Sequence, residues 1–207
     1  MEKIEDFNVL RKIMGEPIPL TKNKITDELT QEAKDFIATA PLVFMATADA
    51  KGQPTVSPKG DQPGFVSIQD DKTLLIPERP GNKLLHGLGN IIENGHIGLI
   101  FLVPGTEETL RVNGRCAIFR DADLGKKMAA NGKPALLILK VEVEQCFFHC
   151  AKAFKRSHAW QPDQWPERIK ISFGKQIAKN AASGKIARKA IEKVVDQAVK
   201  ADYKINL

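Results

Sequence analysis

The sequence is poor in the residue types that would place it outside the cell or in a membrane. It has three cysteines in 207 residues, Cys116, Cys146 and Cys150, an odd number that is too small for a disulfide framework. Its longest apolar run, residues 97–103, is much shorter than the roughly 18–20 residues that span a membrane. Acidic residues occupy the amino terminus, where a secretory signal would have an apolar core. We therefore expect a cytoplasmic protein with reduced thiols and no membrane partner.

The net charge of +6 is concentrated at the carboxyl end. Residues 168–207 hold ten Lys or Arg and three acidic side chains, so residues 1–167 are close to neutral. Nucleic acid could bind a basic segment of this kind. Its lysines, however, alternate with apolar positions, and only Phe173 and Tyr203 offer aromatic rings. The pattern favours a helical tail that packs on the protein or on a partner subunit over a nucleic-acid function.

Hydrophobic periodicity divides the chain into three segments. Residues 1–40 have the spacing of two helices that pack on the rest of the protein, the second beginning at Thr26 or Asp27 and ended by Pro41. Residues 41–162 are typical of six or seven short, mostly antiparallel strands, interrupted by a helix that begins near Asn82. Residues 163–207 are helical and basic. The predicted fold is mainly β (α+β), a small barrel with peripheral helices and a carboxyl-terminal helical extension. The expected strands are residues 42–49, 53–58, 65–69, 73–77, 96–103, 108–120 and 135–143.

The junction between the fourth strand and the following helix has the composition of an anion site. Arg79 and Lys83 place two cations four residues apart, and Asn82 can cap the helix or donate its amide. The unpaired N–H groups and the positive dipole end of a helix favour a bound phosphate. The alternative is a solvated turn with two surface cations and a capped helix.

Two further strands carry polar residues that could join such a site. Ser57 and Lys59, two residues apart at a strand end, would face the same side of the sheet and supply a hydroxyl and a cation. Taken alone, this stretch is a plain Pro/Gly turn. Thr109 and Arg111 share one face of a later strand, which matters only if that face lines the same cleft.

The order of these elements resembles the pyridoxamine 5′-phosphate oxidase-like flavoproteins over residues 36–144, on the motifs PTVSPKGDQPGFV, TLLIPERPGNK, LLHGLGNIIEN, IGLIFLVPG and ETLRVNGRCAI. The resemblance implies an FMN-binding split β-barrel and a homodimer with FMN at the subunit interface. The arginine-rich carboxyl-terminal signature of the true oxidases is absent, so the likeness is to the general PPOX-type flavoproteins rather than to enzymes of vitamin B6 oxidation. The resemblance assigns cofactor contacts to Ser57, Lys59, Ile76, Pro77, Arg79, Asn82, Lys83, Thr109 and Arg111.

The segment 147–162 contains further side chains that could bind a ligand or react. Trp160 could stack on a ring. Cys146 and Cys150 would share one face of a helix, but two thiols beside His149 are too few for a metal site. We therefore predict no metal, and thiols that are buried or inert. The cations that could contact an anionic substrate or the flavin phosphate are Lys152, Lys155 and Arg156.

The leading hypothesis is an FMN-dependent oxidoreductase that acts on a small conjugated or heterocyclic molecule, with the flavin carrying the electrons. Hydride transfer to the flavin requires no side-chain acid or base, so no catalytic residue is nominated. One alternative is a non-enzymatic carrier or sensor that holds flavin, haem or another ligand on the same barrel. Another is an enzyme that uses a deazaflavin in place of FMN.

Overall fold

The computed structural model describes residues 1–206, apart from the side chains of Lys22 and Asn206. The chain divides into two units, Met1–Trp160 and Gln161–Leu207. None of the described helices is both long and apolar enough to cross a lipid bilayer.

The strands are β1 (Leu42–Ala48), β2 (Pro54–Gly60), β3 (Ser67–Asp70), β4 (Thr73–Glu78), β5 (His96–Leu102), β6 (Thr109–Phe119) and β7 (Leu137–His149). The α-helices are α1 (Phe7–Met14), α2 (Gln31–Thr39), α3 (His86–Glu93), α4 (Ala122–Lys127), α5 (Lys152–Ser157), α6 (Phe173–Ala181) and α7 (Lys185–Asn206), with 3₁₀ turns at Pro19–Lys24 and Pro162–Gln164.

All seven strands belong to one antiparallel sheet, in the order β2-β1-β5-β6-β7-β4-β3. The edge position of β2 explains how it accommodates Pro54 and Pro58, since proline cannot donate to a ladder on both sides. The sheet curls until the end of β2 lies beside the end of β4, where side chains join them: Lys59 to Glu78, and Asp61 to Arg79. No backbone ladder pairs these two strands. This arrangement confirms the predicted split β-barrel and its α+β class.

The inner face of the curled sheet forms the core. On β1, Val43 and Met45 are buried, and their cross-strand partners on β5 are Phe101 and Leu99. The remaining inner positions alternate along the strands, as a half-buried antiparallel sheet requires. They include Leu74, Ile76, Leu110, Val112, Cys116, Leu139 and Val141.

The amino-terminal segment attaches to the barrel at two points. Helix α2 buries Ala33 and Ile37 in the core, whereas α1 has no buried residue. The expected start of the second helix at Thr26 or Asp27 is wrong: its N-cap is Thr30, whose hydroxyl accepts a hydrogen bond from the Ala33 N–H. Thr26 instead exchanges backbone hydrogen bonds with Cys146 of β7. This bridge forms where β4 no longer pairs with β7.

Strand β7 continues six residues beyond the expected end at Val143, because β6 offers it backbone partners as far as Thr109. Cys146 therefore lies in a strand and not on a helix with Cys150. Its side chain is buried, and Cys150 is exposed just beyond the strand. A one-residue shift in the β6–β7 register at Asn113/Gly114 accommodates the extra length.

The second unit is a helical hairpin of α6 and α7, interrupted after Ala182 as the Ser183-Gly184 pair predicts. The Asp196 carboxylate accepts hydrogen bonds from the Ser172 hydroxyl at 2.7 Å and the Gly174 N–H at 2.8 Å. These two donors hold the pKa of Asp196 below its ordinary value. The carboxylate thus fixes the start of α6 against α7.

Candidate functional site

Ser57 and Lys59 lie on the inner side of edge strand β2, as their spacing predicts. Their cross-strand partners on β1 are Met45 and Val43, which point into the core. The Lys59 ammonium is 2.5 Å from a carboxylate oxygen of Glu78, and the two side chains are only 14% and 19% exposed. Lys59 belongs to the strand itself, not to the loop after it. Its charge is neutralised across the split of the barrel.

The Lys59 ammonium also acts on the buried thiol of Cys116. Burial raises the pKa of Cys116 to about 12, and the Lys59 charge opposes this rise. Burial likewise raises the pKa of Cys146 to about 11. Because the thiolate is the nucleophile and the metal ligand, neither side chain is poised for chemistry near neutral pH.

Arg79 lies on the opposite side of β4 from Glu78. Its Nε and Nη2 donate to one carboxylate oxygen of Asp61 at 3.1 and 2.8 Å. Its Nη1 is the one buried side-chain nitrogen or oxygen of the described residues that lacks a hydrogen-bond partner. Arg79 lines a polar cleft of about 630 Å³ between the 61–65 loop and α4, together with Lys127 and Asn131. Lys59 and Arg79 therefore face different sides of the β2–β4 split.

The turn that leads into α3 has an unusual backbone. Lys83 and Leu85 have φ values of +60° and +59°, in the left-handed region that non-glycine residues seldom adopt. The expectation that Asn82 opens the helix is wrong: α3 begins at His86 after Leu85, without a side-chain cap. The Asn82 side-chain oxygen instead accepts a hydrogen bond from the Leu84 N–H. Leu84 and Leu85 continue the apolar spacing of α3 towards the amino terminus, so the sequence pattern predicted an earlier start for this helix.

An apolar groove of about 630 Å³ runs between α3 and the adjoining ends of β6 and β7. It borders the Lys59–Glu78 pair, because Leu137 in its wall is the cross-strand partner of Glu78. Leu85, from the turn before α3, and Ile92, from α3 itself, line the groove and are 60% and 78% exposed. The neighbouring Leu84 is 63% exposed. The other lining residues include Leu88, Ile91, Cys116 and Ile118.

The remaining predicted contacts are spread over both faces of the sheet. Ile76 is buried on the inner face of β4, and Pro77 is buried on the outer face. Thr109 and Arg111 lie on the outer face of β6, since the intervening Leu110 belongs to the core. One chain therefore brings Ser57 and Lys59 to the α3 side of the barrel, with Lys83 at the adjacent turn. Thr109 and Arg111 are on the other side.

Sequence reasoning did not single out the carboxylates Asp61 and Glu78. The sequence did contain an indication of both, because the stretches KGD and ERP each place a carboxylate within two positions of a cation. Their pairing across the split could not be read from spacing, since it depends on the curl of the whole sheet.

Two aromatic side chains of the segment 147–162, Phe154 and Trp160, pack on each other. The Trp160 indole stacks on Phe154 at 5.5 Å and donates to the Thr106 carbonyl oxygen at 2.8 Å. Lys155 forms an ion pair with Glu107 at 3.4 Å. The Trp160 ring therefore packs within the first unit, where it joins Phe154 to the loop that contains Thr106.

The family described as pyridoxamine 5′-phosphate oxidase has a model that matches residues 29–150. A comparison with curated proteins finds no match. Among solved structures, the chain is similar to a variant of HupZ from Group A Streptococcus, with 30% identity, a TM-score of 0.49, and coverage of 58% of this chain and 99% of that one. It is similar to a Lactobacillus delbrueckii protein proposed to be a pyridoxamine 5′-phosphate oxidase (28% identity, TM-score 0.45, 59% and 95% coverage). HutZ, the haem storage protein of Vibrio cholerae, has 16% identity, a TM-score of 0.41 and coverage of 58% and 93%.

The matched family segment covers more than half of the chain and contains every strand of the sheet, β1 to β7. It also contains the split between β2 and β4 and the turn before α3. The chain belongs to the pyridoxamine 5′-phosphate oxidase family.

Proposed function

We propose that this protein binds FMN beside α3 and acts as an oxidoreductase on a small conjugated or heterocyclic molecule. The observation that carries the proposal is the turn Lys83–Leu85. Two non-glycine residues there adopt positive φ, and the helix that follows has no side-chain cap. Backbone strain of this kind costs about 1–3 kcal/mol per residue and is found preferentially at ligand-binding sites.

The residues present fit the phosphate end of FMN. Lys83 is exposed and forms no ion pair among residues 1–206. It shortly precedes the first turn of α3, which no side chain caps. A cation next to an uncapped helix start is a good environment for a phosphate. Lys59 and the Nε and Nη2 of Arg79 are already taken by carboxylates. We therefore assign the anchoring charge to Lys83, with Asn82 beside it, whereas Arg79 faces the cleft on the other side of the split.

The groove fits a flat apolar ring. Its volume lies within the 300–1,000 Å³ typical of small-molecule sites, and its walls are aliphatic. When bound, FMN supplies hydride or electron transfer at its ring, which no side chain of this protein could provide. Leu85 and Leu88 would exclude water from the ring. The Ser57 hydroxyl and the Lys59–Glu78 pair would border it, over a floor that includes the backbone of Ile76 and Pro77.

A homodimer would account for the two-sided placement of the predicted contacts. Thr109 and Arg111 lie on the outer face, away from α3, so one chain does not bring them to its own groove. A second copy could present its outer face to the groove and at the same time cover Leu84, Leu85 and Ile92. We propose that the cofactor lies at this interface.

The test is the absorbance spectrum of freshly purified full-length protein, followed by mass identification of the molecule released on denaturation. Flavin bands and released FMN are the expected result. In titrations of the stripped protein, Lys83→Ala should weaken FMN about 10- to 100-fold, the loss of one charged hydrogen bond. Riboflavin, which lacks the phosphate, should bind both proteins equally. Lys51→Ala, an exposed lysine in the β1–β2 turn, is the matched control.

Protein that neither contains nor takes up FMN contradicts the proposal. A Soret band would favour the hypothesis of a haem carrier over the FMN proposal. A released deazaflavin would contradict the identity of the cofactor but not the proposed oxidoreductase activity. FMN that binds but is not reduced and reoxidised under any supplied donor and acceptor would leave the protein a flavin carrier or sensor.

A further inference from the structure

A second cluster of positive charge lies on the outer face of β6 and β7, around the phenyl ring of Phe147. The Arg111 guanidinium is 5.5 Å from the centre of this ring, and the Lys24 ammonium is 5.3 Å from it. His149 lies two residues further along the same face of β7. Lys24 and His149 did not enter the cofactor contacts implied by the family.

The backbone holds these three residues in fixed positions. Arg111 is the cross-strand partner of Phe147, and His149 is that of Thr109, so Arg111 and His149 are diagonal neighbours, about 7–8 Å apart in such sheets. Lys24 donates a hydrogen bond from Nζ to the Phe148 carbonyl oxygen at 3.2 Å. Two residues further on, the paired hydrogen bonds between Thr26 and Cys146 fix its segment on β7.

The charge of this cluster is not neutralised by the protein. Within residues 1–206, neither Lys24 nor Arg111 forms an ion pair with a carboxylate, in contrast to Lys59 and Arg79. Burial, the Arg111 charge and the Lys24 charge together lower the pKa of His149. A group of donors that repel one another is stabilised by an anion that all of them can approach.

We propose that Lys24, Arg111 and His149 form an anion-binding site for a phosphate or carboxylate group. Arg111 supplies the planar pair of N–H donors that suits either group, Lys24 an ammonium, and His149 a ring N–H. The site stands on this geometry alone. Only the statement that its anion belongs to a cofactor or substrate at the dimer interface rests on the proposed function.

The test is proton NMR of the histidine ring signals in the full-length protein, with the His149 signal identified by its loss in His149→Gln. Inorganic phosphate is titrated at constant ionic strength against chloride, and acetate is titrated in the same way. We expect a saturable shift of the His149 signal and a rise in its pKa. Arg111→Ala should weaken phosphate by about tenfold or more, as expected for a lost charged hydrogen bond. Arg115→Ala, on the same strand and face but beside His96, should leave the affinity unchanged.

A His149 signal that does not respond saturably, or responds equally in Arg111→Ala, overturns the site. Repeating the titration after loading with FMN identifies the anion. Loss of the phosphate response supports a site filled by the cofactor phosphate, and a preserved response supports a site for an anionic substrate. A phosphate response in protein that takes up no flavin contradicts the proposed function and leaves the anion site supported.

Discussion

At the residue scale, the cations with the clearest sequence motifs are the ones whose charge is already balanced. Lys59 and Arg79 meet Glu78 and Asp61 across the split of the barrel. A half-buried ion pair contributes little net stability, but removing one partner leaves the other desolvated and unpaired. These pairs therefore position the two strand ends, and the anion binding that we propose is assigned instead to Lys83 and to the Arg111 cluster.

Lys59→Ala is expected to destabilise the first unit by about 1–3 kcal/mol, because Glu78 would remain largely buried without a partner. Urea unfolding of the full-length protein measures this change. Lys34→Ala is the control, since its partner Asp71 is 62% exposed and the loss of an exposed pair costs at most about 1 kcal/mol. Equal effects of the two substitutions would show that the Lys59–Glu78 pair is no more than a surface contact.

Cys150 is expected to react with a thiol reagent at pH 8 much faster than Cys116 and Cys146. The two buried thiols have pKa values of about 12 and about 11, so few of them are thiolates at this pH, and Cys150 is exposed. Peptide mass spectrometry after timed alkylation measures each rate, and denatured protein is the reference in which all three should react. Fast labelling of Cys116 in the folded protein would contradict its burial.

At the element scale, the β6–β7 pair depends on one glycine at the register shift. A Cβ at Gly114 would lie 1.9 Å from the Glu142 carbonyl oxygen, so the close approach of the two backbones requires glycine. The shift allows β7 to extend to His149 and present Phe147 and His149 beside Arg111. The outer-face cluster is thus a consequence of this bulge.

Gly114→Ala is expected to cost at least about 3 kcal/mol of unfolding free energy, since the backbones must separate. Gly89→Ala is the matched control: nothing lies within 4 Å of its Cβ position on α3, and alanine in a helix gains up to about 1 kcal/mol over glycine. Both are measured by chemical denaturation. A Gly114→Ala protein of native stability would mean that the register shift is not rigid.

At the scale of the whole molecule, the chain consists of two units that each have their own internal contacts, Met1–Trp160 and Gln161–Leu207. The family match, residues 29–150, falls wholly within the first unit. The net positive charge of the chain comes almost wholly from the second unit. The predicted roles of residues 1–40, 41–162 and 163–207 remain predictions, and truncation addresses them directly.

A protein ending at Trp160 is expected to unfold cooperatively and to bind FMN with the affinity of the full chain, because every proposed contact lies before that residue. Circular dichroism melts and flavin titration measure the two properties, and sedimentation of both proteins compares their oligomeric states. Retained folding with loss of the dimer would give the helical hairpin a role in assembly. Loss of folding would contradict the independence of the first unit.

Several features of this protein follow from its sequence because they are local. Alternation located the seven strands to within a few residues, except at the end of β7, and the Ser57/Lys59 spacing put both residues on one side of β2. The N-cap of α2 was harder to predict, because Thr26 and Thr30 have the same side chain and either could cap a helix. Only the bridge from Thr26 to Cys146, 120 residues away, decided between them.

Tertiary structure alone decided which charges remain free. The pairing of Lys59 with Glu78 and of Arg79 with Asp61 requires the sheet to curl until β2 meets β4. The grouping of Lys24, Arg111 and His149 requires the β6–β7 register and the anchoring of the amino-terminal segment. Residue types and strand patterns are fixed by local order along the chain, whereas charge neutralisation depends on distances through space between residues far apart in that order.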